Sequence, residues 1–349
     1  MMNYSSGILT GVLKPKYRVI SGLLGEDFDA SDGLDVFIDL NSFISNLMSS
    51  KKFMQTLPFS EGIETDLVTS ILMTLKHWRD YVRNKYEDCR IFMIYNDFKS
   101  DVIMCEHQQL KSYLIPYRNK INNPMYTQLK YYLEESIKIV ETIMKYLPKS
   151  YIIKCDEFDC YVIPNVIDDY NKNKRKRIII SSNPLYVNYN YKDDCKVIYS
   201  KYKHDGIHQV TDSLMVVQSM TKVEDDIMSI FVKNRVFFNV ICAIIGDNQR
   251  GLIGLTQLAK HKFATTLLRA VEKGDIPNDP LNINTVLPAI DECYHDYLKQ
   301  VYPLIDVDVH SNMIPSSKIE RVKLLMTDLY DIDGLRSISI NGLNLLELM

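Results

Sequence analysis

Acidic side chains end or follow four short apolar runs of this chain: Asp39 after LDVFI, Asp97 after IFMIYN, Asp156, Glu157 and Asp159 after YIIKC, and Asp247 after ICAIIG. Carboxylates gathered in one cleft repel unless they are protonated or bridged by divalent cations, and Mg²⁺ prefers oxygen donors. Two such ions about 4 Å apart activate water and stabilise the leaving oxygen of phosphodiester hydrolysis. Taken singly, an Asp in such a place is more often a helix N-cap or a solvated loop residue. Order and spacing along the chain are what favour chemistry.

Those four places need elements that bring them together. Leu34 to Leu40 reads as a buried strand with Asp39 at its tip, followed by Asn41, Ser42, Phe43 and Ile44, which cap and begin a helix. Three- and four-residue spacing of apolar residues predicts an amphipathic helix from Ile63 to Tyr86. Arg90 to Tyr95 is a second strand, delivering Asn96 and Asp97. Residues 98 to 126 are mixed and polar; Leu129 to Leu147 is a helix that Pro148 stops. Tyr151 to Lys154 is a third strand and 157 to 170 a helix containing Pro164. A basic turn, Asn171 to Arg177, leads into the strand Ile178 to Ser181. Strands alternating with helices imply an α/β fold around a central, mostly parallel sheet, with ligands outside the strands' carboxyl ends.

A composition shift near residue 205 separates an α/β core, 1–205, from a mostly helical remainder, 206–349. There Val223 to Ile245 is apolar on one broad face. A glycine-punctuated turn, Gly246 to Gly254, precedes a helix from Leu255 to Glu272.

The chain has 349 residues, 46% hydrophobic and 24% charged, enough to bury a large core. Its net charge of -3 excludes a uniformly basic nucleic-acid binder, so bases serving DNA must be segregated. Two segregated stretches occur: 171–177, which a solvated loop explains equally well, and 99–130, where bases alternate with Tyr113, Tyr117 and Tyr126. Seven scattered cysteines without a CxxC pair, and no run apolar enough for a signal or a membrane span, predict a reducing, intracellular setting and no membrane partner. Abundant Lys, Asn and Tyr suggest an AT-rich genome, as in a phage, a virus or a low-GC bacterium. His204, His208 and His310 lack metal-ligand spacing. The alternation of Tyr186, Tyr189 and Tyr191 with polar neighbours reads as a strand face rather than a base-stacking platform.

The order of these segments resembles the flap endonuclease and 5′-to-3′ exonuclease family, with its PIN-like nuclease core, and is most similar to the ribonuclease H branch of T-even phages. DVFIDLNSFI carries the first metal Asp as Asp39; IFMIYNDFKSD resembles the strand of the second; IKCDEFDC resembles the E-A-D-D signature, with Glu157 and Asp159 on ligand positions. RIIISSN resembles the strand ending S-S-D-x-D, and IIGD the motif G-D-x-x-D-N that opens a helical DNA-binding element. VYPLIDVDVHSNMIP is similar to the phage proteins' C-terminal region. The likeness covers roughly residues 34 to 315.

The resemblance implies a PIN/flap-endonuclease-like core, an arch-like insertion near 98–126 and a helical C-terminal half. It implies Mg²⁺ on Asp39, Asp97, Glu157, Asp159 and Asp247, with Lys111 and Arg118 stabilising developing charge. Lys111, Arg118 and Lys120 face phosphates on the arch, while Gly251, Gly254, Lys260 and Lys262 serve the helix-turn-helix variant. The implied partner is DNA at a flap, nick or RNA-DNA junction in the host cytoplasm, beside replication or viral assembly proteins. The motif also departs from the family. Ungapped, Asn96 rather than Asp97 takes the second metal position; Asn183 and Leu185 replace the S-S-D-x-D pair, Arg250 the last Asp of G-D-x-x-D-N, and Cys160 that of E-A-D-D. One metal site survives and the second is impaired, with Asp193 or Asp194 as substitute carboxylates. Three functions stay open: an active 5′-nuclease, a non-cleaving homologue that binds junctions or serves an assembly, and a PIN-like ribonuclease.

Overall fold

Leu34–Asp39 forms β1, the strand around which the rest of a six-stranded sheet is ordered. The computed structural model describes residues 30–40, 88–97, 131, 134–142, 149–156, 175–181, 184–202, 208–211, 234–247, 252–255, 260–312, 339–340 and 343–344. The expected helices 63–86 and 157–170 and the arch region 98–126 lie outside them.

The other strands are β2 (Cys89–Asp97), β3 (Ser150–Asp156), β4 (Lys176–Ser181), β5 (Cys195–Tyr202) and β6 (His208–Thr211), in the order β3-β2-β1-β4-β5-β6. The first five are parallel, and β6 runs antiparallel to β5. This is the α/β fold with a mostly parallel sheet that the alternation predicts. Leu34, Val36, Phe37 and Ile38 are all buried, so both faces of β1 are covered, which is why the strand reads as a continuous apolar run. Parallel register sets Phe37 beside Phe92 and Phe92 beside Tyr151, and their rings stack at 4.9 and 5.0 Å.

Residues 134–142 are helical, within the helix expected from 129 to 147, and bury Ile137 and Val140. The expected strand face at Tyr186 is instead a 3₁₀ helix, Pro184–Tyr191. Three residues per turn place Tyr186 and Tyr189 on one side, fully buried, with ring centroids 6.0 Å apart. Burial of these two rings removes them as a platform for bases.

Helix α1 (Arg235–Ile245) starts at Asn234, whose side-chain oxygen accepts from the amides of Val236 (2.8 Å) and Phe237 (3.2 Å). A hairpin follows, β7 (Gly246–Asp247) against β8 (Leu252–Ile253), then α2 (Lys260–Lys273). The glycine-rich turn thus contains a hairpin, after which the Leu255 amide donates to the carbonyl of Ile244 at 2.8 Å, and the helix expected from 255 to 272 is described from Lys260 onward. Further on, α3 (His295–Ile305) packs on α1, the Tyr297 hydroxyl donating to the Ala243 carbonyl at 2.7 Å. The short α4 (Val307–Ser311) is capped by Asp306, which accepts from the amides of Asp308 (3.0 Å) and Val309 (3.2 Å). Residues of the sheet, the 3₁₀ helix and α1 to α4 share one hydrophobic cluster. A second hairpin, β9 (Ser339–Ile340) with β10 (Leu343–Asn344), lies near the C-terminus. Among the described residues, no helix is long and apolar enough to cross a membrane.

Candidate active site

Strand order reverses between β1 and β4: the chain goes outward through β2 and β3, then returns to the other side of β1. In open α/β sheets the crevice for ligands opens there, beyond the carboxyl ends of the strands. Asp39 ends β1 and Ser181 ends β4, one residue beyond the paired positions Ile38 and Ile180. The Ser181 hydroxyl donates to Asp39 Oδ2 at 2.6 Å. Ser181 is buried, whereas Asp39 is half-buried.

On the other flank, β2 and β3 end side by side, with Asn96 in register with Cys155 and Asp97 with Asp156. Asp39 is in register with Ile94, so both Asn96 and Asp97 lie beyond it along β2. Strand positions alternate between faces. Phe37 and Asp39 pair with Phe92 and Ile94, and Asn96 continues that alternate set, while Asp97 falls in the other set, with Asp156. The strand tips therefore bring the backbones of Asp39, Asp97 and Asp156 to one edge of the sheet. Glu157, Asp159, Lys111, Arg118, Lys120, Asn183 and Gly251 lie outside the described residues. Among the described residues, no group of three or more His, Cys, Asp or Glu is placed to hold a metal ion. A carboxylate at a half-buried strand tip, as Asp39 is, belongs to the oxygen-donor type that a hard divalent cation takes.

Asp247 belongs to a separate element, the β7–β8 hairpin, in register with Leu252. Gly254 follows the hairpin, and Lys260 and Lys262 fall in the first turn of α2, which carries no acidic residue.

Two sequence expectations change here. Asp193 and Asp194 occupy the turn before β5, and Asp194 pairs with Arg177 at 2.5 Å. In a parallel sheet that turn is at the opposite edge from the carboxyl tips, so neither residue can replace a lost ligand near Asp39. Within the basic stretch 171–177, Arg175 and Arg177 are buried and ion-paired, Arg175 to Asp35 and Asp88 and Arg177 to Asp194, so these two guanidiniums are not phosphate contacts. Sequence spacing assigns no role to Asp35, inside the apolar run of β1, yet it accepts from Arg90 Nε at 2.7 Å and Arg175 Nε at 2.9 Å. The available signal was the charge itself, since a carboxylate inside a buried strand requires a cationic partner.

No protein-family model and no curated protein matches this chain. Among solved structures it is similar to a bacteriophage T5 protein co-crystallised with metal ions (11% identity, TM-score 0.48, covering 84% of this chain and 98% of that one). It is also similar to T5 5′-exonuclease with bound zinc (10%, 0.46, 85% and 99%). A third is the T5 flap endonuclease in a pseudo-enzyme-product complex with DNA and metal ions (10%, 0.44, 84% and 98%). The ions and the DNA are those of the T5 proteins.

Proposed function

We propose that this chain is a 5′-nuclease-like protein that binds branched or nicked DNA and hydrolyses phosphodiesters with a divalent cation held at the strand tips. The observation that supports this most is the place of Asp39, half-buried at the carboxyl end of β1 beside the reversal of strand order. The motif order of the sequence adds Glu157 and Asp159, which follow the tip of β3, and one of Asn96 and Asp97 at the tip of β2. These residues hold Mg²⁺, and Asp247 is what remains of a second site. A cation bound there supplies Lewis-acid activation of water and neutralises charge on the phosphate. Lys111 and Arg118 stabilise the charge that develops on the scissile group. Lys120, Lys260, Lys262 and the backbone at Gly251 and Gly254 hold the flanking phosphates. The setting is an infected host cell, with removal of RNA primers or flaps during replication as the task.

A second reading is favoured by Asn183, Leu185, Arg250 and Cys160, which stand where the family pattern has carboxylates. Leucine cannot coordinate and arginine repels a cation, so these losses support a protein that binds junctions, or serves an assembly, without cleaving. A 5′-labelled flap duplex incubated with the protein in Mg²⁺ and in Mn²⁺ separates the two. Cleavage that Asp39→Ala abolishes supports the nuclease. Salt-sensitive binding without cleavage supports the second reading, and no affinity for the duplex rejects both DNA roles.

A further inference from the structure

We infer that Lys201 binds a backbone phosphate of the nucleic-acid strand engaged at Asp39. The inference deepens the proposed function and rests on it. Register across the sheet assigns the two residues to one face. Asp39 and Ser181 each lie one residue beyond the pair Ile38–Ile180, Ser181 pairs with Tyr199, and Tyr199 with Thr211. Sides alternate along a strand, so Lys201, two residues past Tyr199, falls on the face of Asp39, with Gln209 as its partner on β6. That face is the one that shares the hydrophobic cluster with α1: Phe37, Phe92, Ile94, Ile153, Ile179 and Val197 belong to both.

The apolar character of this face ends at the carboxyl edge. In the row level with Asp39 stand Ile153, Ile94, Ser181, Tyr199 and Thr211; one step further come Cys155 and Asn96 on one flank, Lys201 and Gln209 on the other. Among the described residues of these two rows, Asp39 supplies the one carboxylate and Lys201 the one cation. Strands ~4.8 Å apart, rising ~3.3 Å per residue, put the Lys201 backbone about 12 Å from that of Asp39. A nucleic-acid strand carries a phosphate at every nucleotide, so one whose scissile group lies at Asp39 brings neighbouring phosphates within that span. Lysine binds phosphate as a point charge without a fixed fork geometry, which suits a contact to the backbone rather than to a base. A merely solvated lysine near the sheet edge would leave DNA affinity insensitive to its removal.

The test measures the affinity of the full chain for a fluorescent 5′-flap duplex against salt, without divalent cation, for wild type, Lys201→Ala, Lys201→Arg and Lys196→Ala. Lys196 is on the same strand but in the other alternate set, in register with Ile178, and serves as the control. Lys201→Ala is expected to lose about one unit from the slope of log affinity against log salt, whereas Lys201→Arg and Lys196→Ala keep it. If Ala does not fold, Lys201→Gln retains a long polar stem and carries the same expected loss. Neutral methylphosphonate linkages, placed one at a time near the junction, then locate the contact: one position should weaken wild type yet leave Lys201→Ala unchanged. An unchanged slope in Lys201→Ala, equal loss in Lys196→Ala, or the lack of such a position overturns the contact while leaving the DNA reading in place. Should wild type show no affinity for the duplex, the DNA reading fails, and the inference with it.

Discussion

Arg175 donates from Nε to Asp35 at 2.9 Å, joining two residues 140 positions apart at the amino-terminal edge of the sheet. The same guanidinium reaches the carbonyls of Leu34 (3.2 Å) and Asp88 (3.0 Å) and pairs with the Asp88 carboxylate. Arg90 clasps Asp35 from β2 through two nitrogens, at 2.7 and 2.5 Å. This edge ties β1, β2 and β4 together at the end remote from the candidate site. Strand tips are held in line by what fixes the strands' other ends.

Removing the guanidinium leaves Asp35 with one partner and two carbonyls with fewer donors. Arg175→Ala is expected to cost about 3 kcal/mol, at the low end for breaking a buried pair because Arg90 remains. Gly33 is coupled to the same group. It has φ +106 and a Cβ there would collide with the Arg175 guanidinium, so Gly33→Ala should lower the free energy of unfolding as well, by about 1–3 kcal/mol. Urea unfolding of both variants and the double variant checks this; in the double variant the two losses should be less than additive, since the clash needs the guanidinium.

Hydrogen bonds from Arg175, then Lys149, hold Asp88 down to about 2. A carboxyl with a lowered folded value adds stability that is fully present above the unfolded value near 4 and is lost as pH falls through about 2. Asp88→Asn should therefore be less stable than wild type at neutral pH and equal to it near pH 2. The side chain is half exposed, so the difference stays under about 1 kcal/mol. Thermal midpoints from pH 2 to 7 give the comparison, and a constant gap across that range would contradict it.

Register assigns Asn96, not Asp97, to the alternate set of Asp39. Asn96→Asp then places a second carboxylate on the β2 tip in phase with Asp39 and should tighten Mn²⁺ by about 10-fold, whereas Asp97→Asn should leave affinity within about 3-fold. Titration of both variants decides it; the reverse pattern would assign the ligand to Asp97.

Guanidiniums committed to carboxylates and bases that contact phosphate differ in how salt affects DNA binding. Plots of log affinity against log salt for a flap duplex should lose about one unit of slope with Lys111→Ala or Arg118→Ala. Arg177→Ala, which breaks the pair with Asp194, should lower thermal stability and leave the slope unchanged.

The four parallel strands Leu34 to Asp39, Cys89 to Asp97, Ser150 to Asp156 and Lys176 to Ser181 were legible because burial on both faces demands near-continuous apolar runs. For the same reason Asp39 stood out as the carboxylate closing such a run. The 3₁₀ helix was not legible: with three residues per turn, Tyr186 and Tyr189 pack on one side, yet alternation at period two looks the same over so short a stretch. The hairpin at Asp247 was hidden similarly, since two-residue strands carry no period at all.

By itself, then, the amino-acid order determined the fold class and which residues end the strands, since both follow from local patterns of burial. Partnership was decided only in three dimensions. That Arg175 and Arg177 serve buried carboxylates rather than phosphate, that Asp194 lies at the wrong edge, and that Ser181 meets Asp39 all depend on strand order and register. Those are set by contacts between strands that lie from 17 to 142 positions apart, which spacing along the chain does not encode.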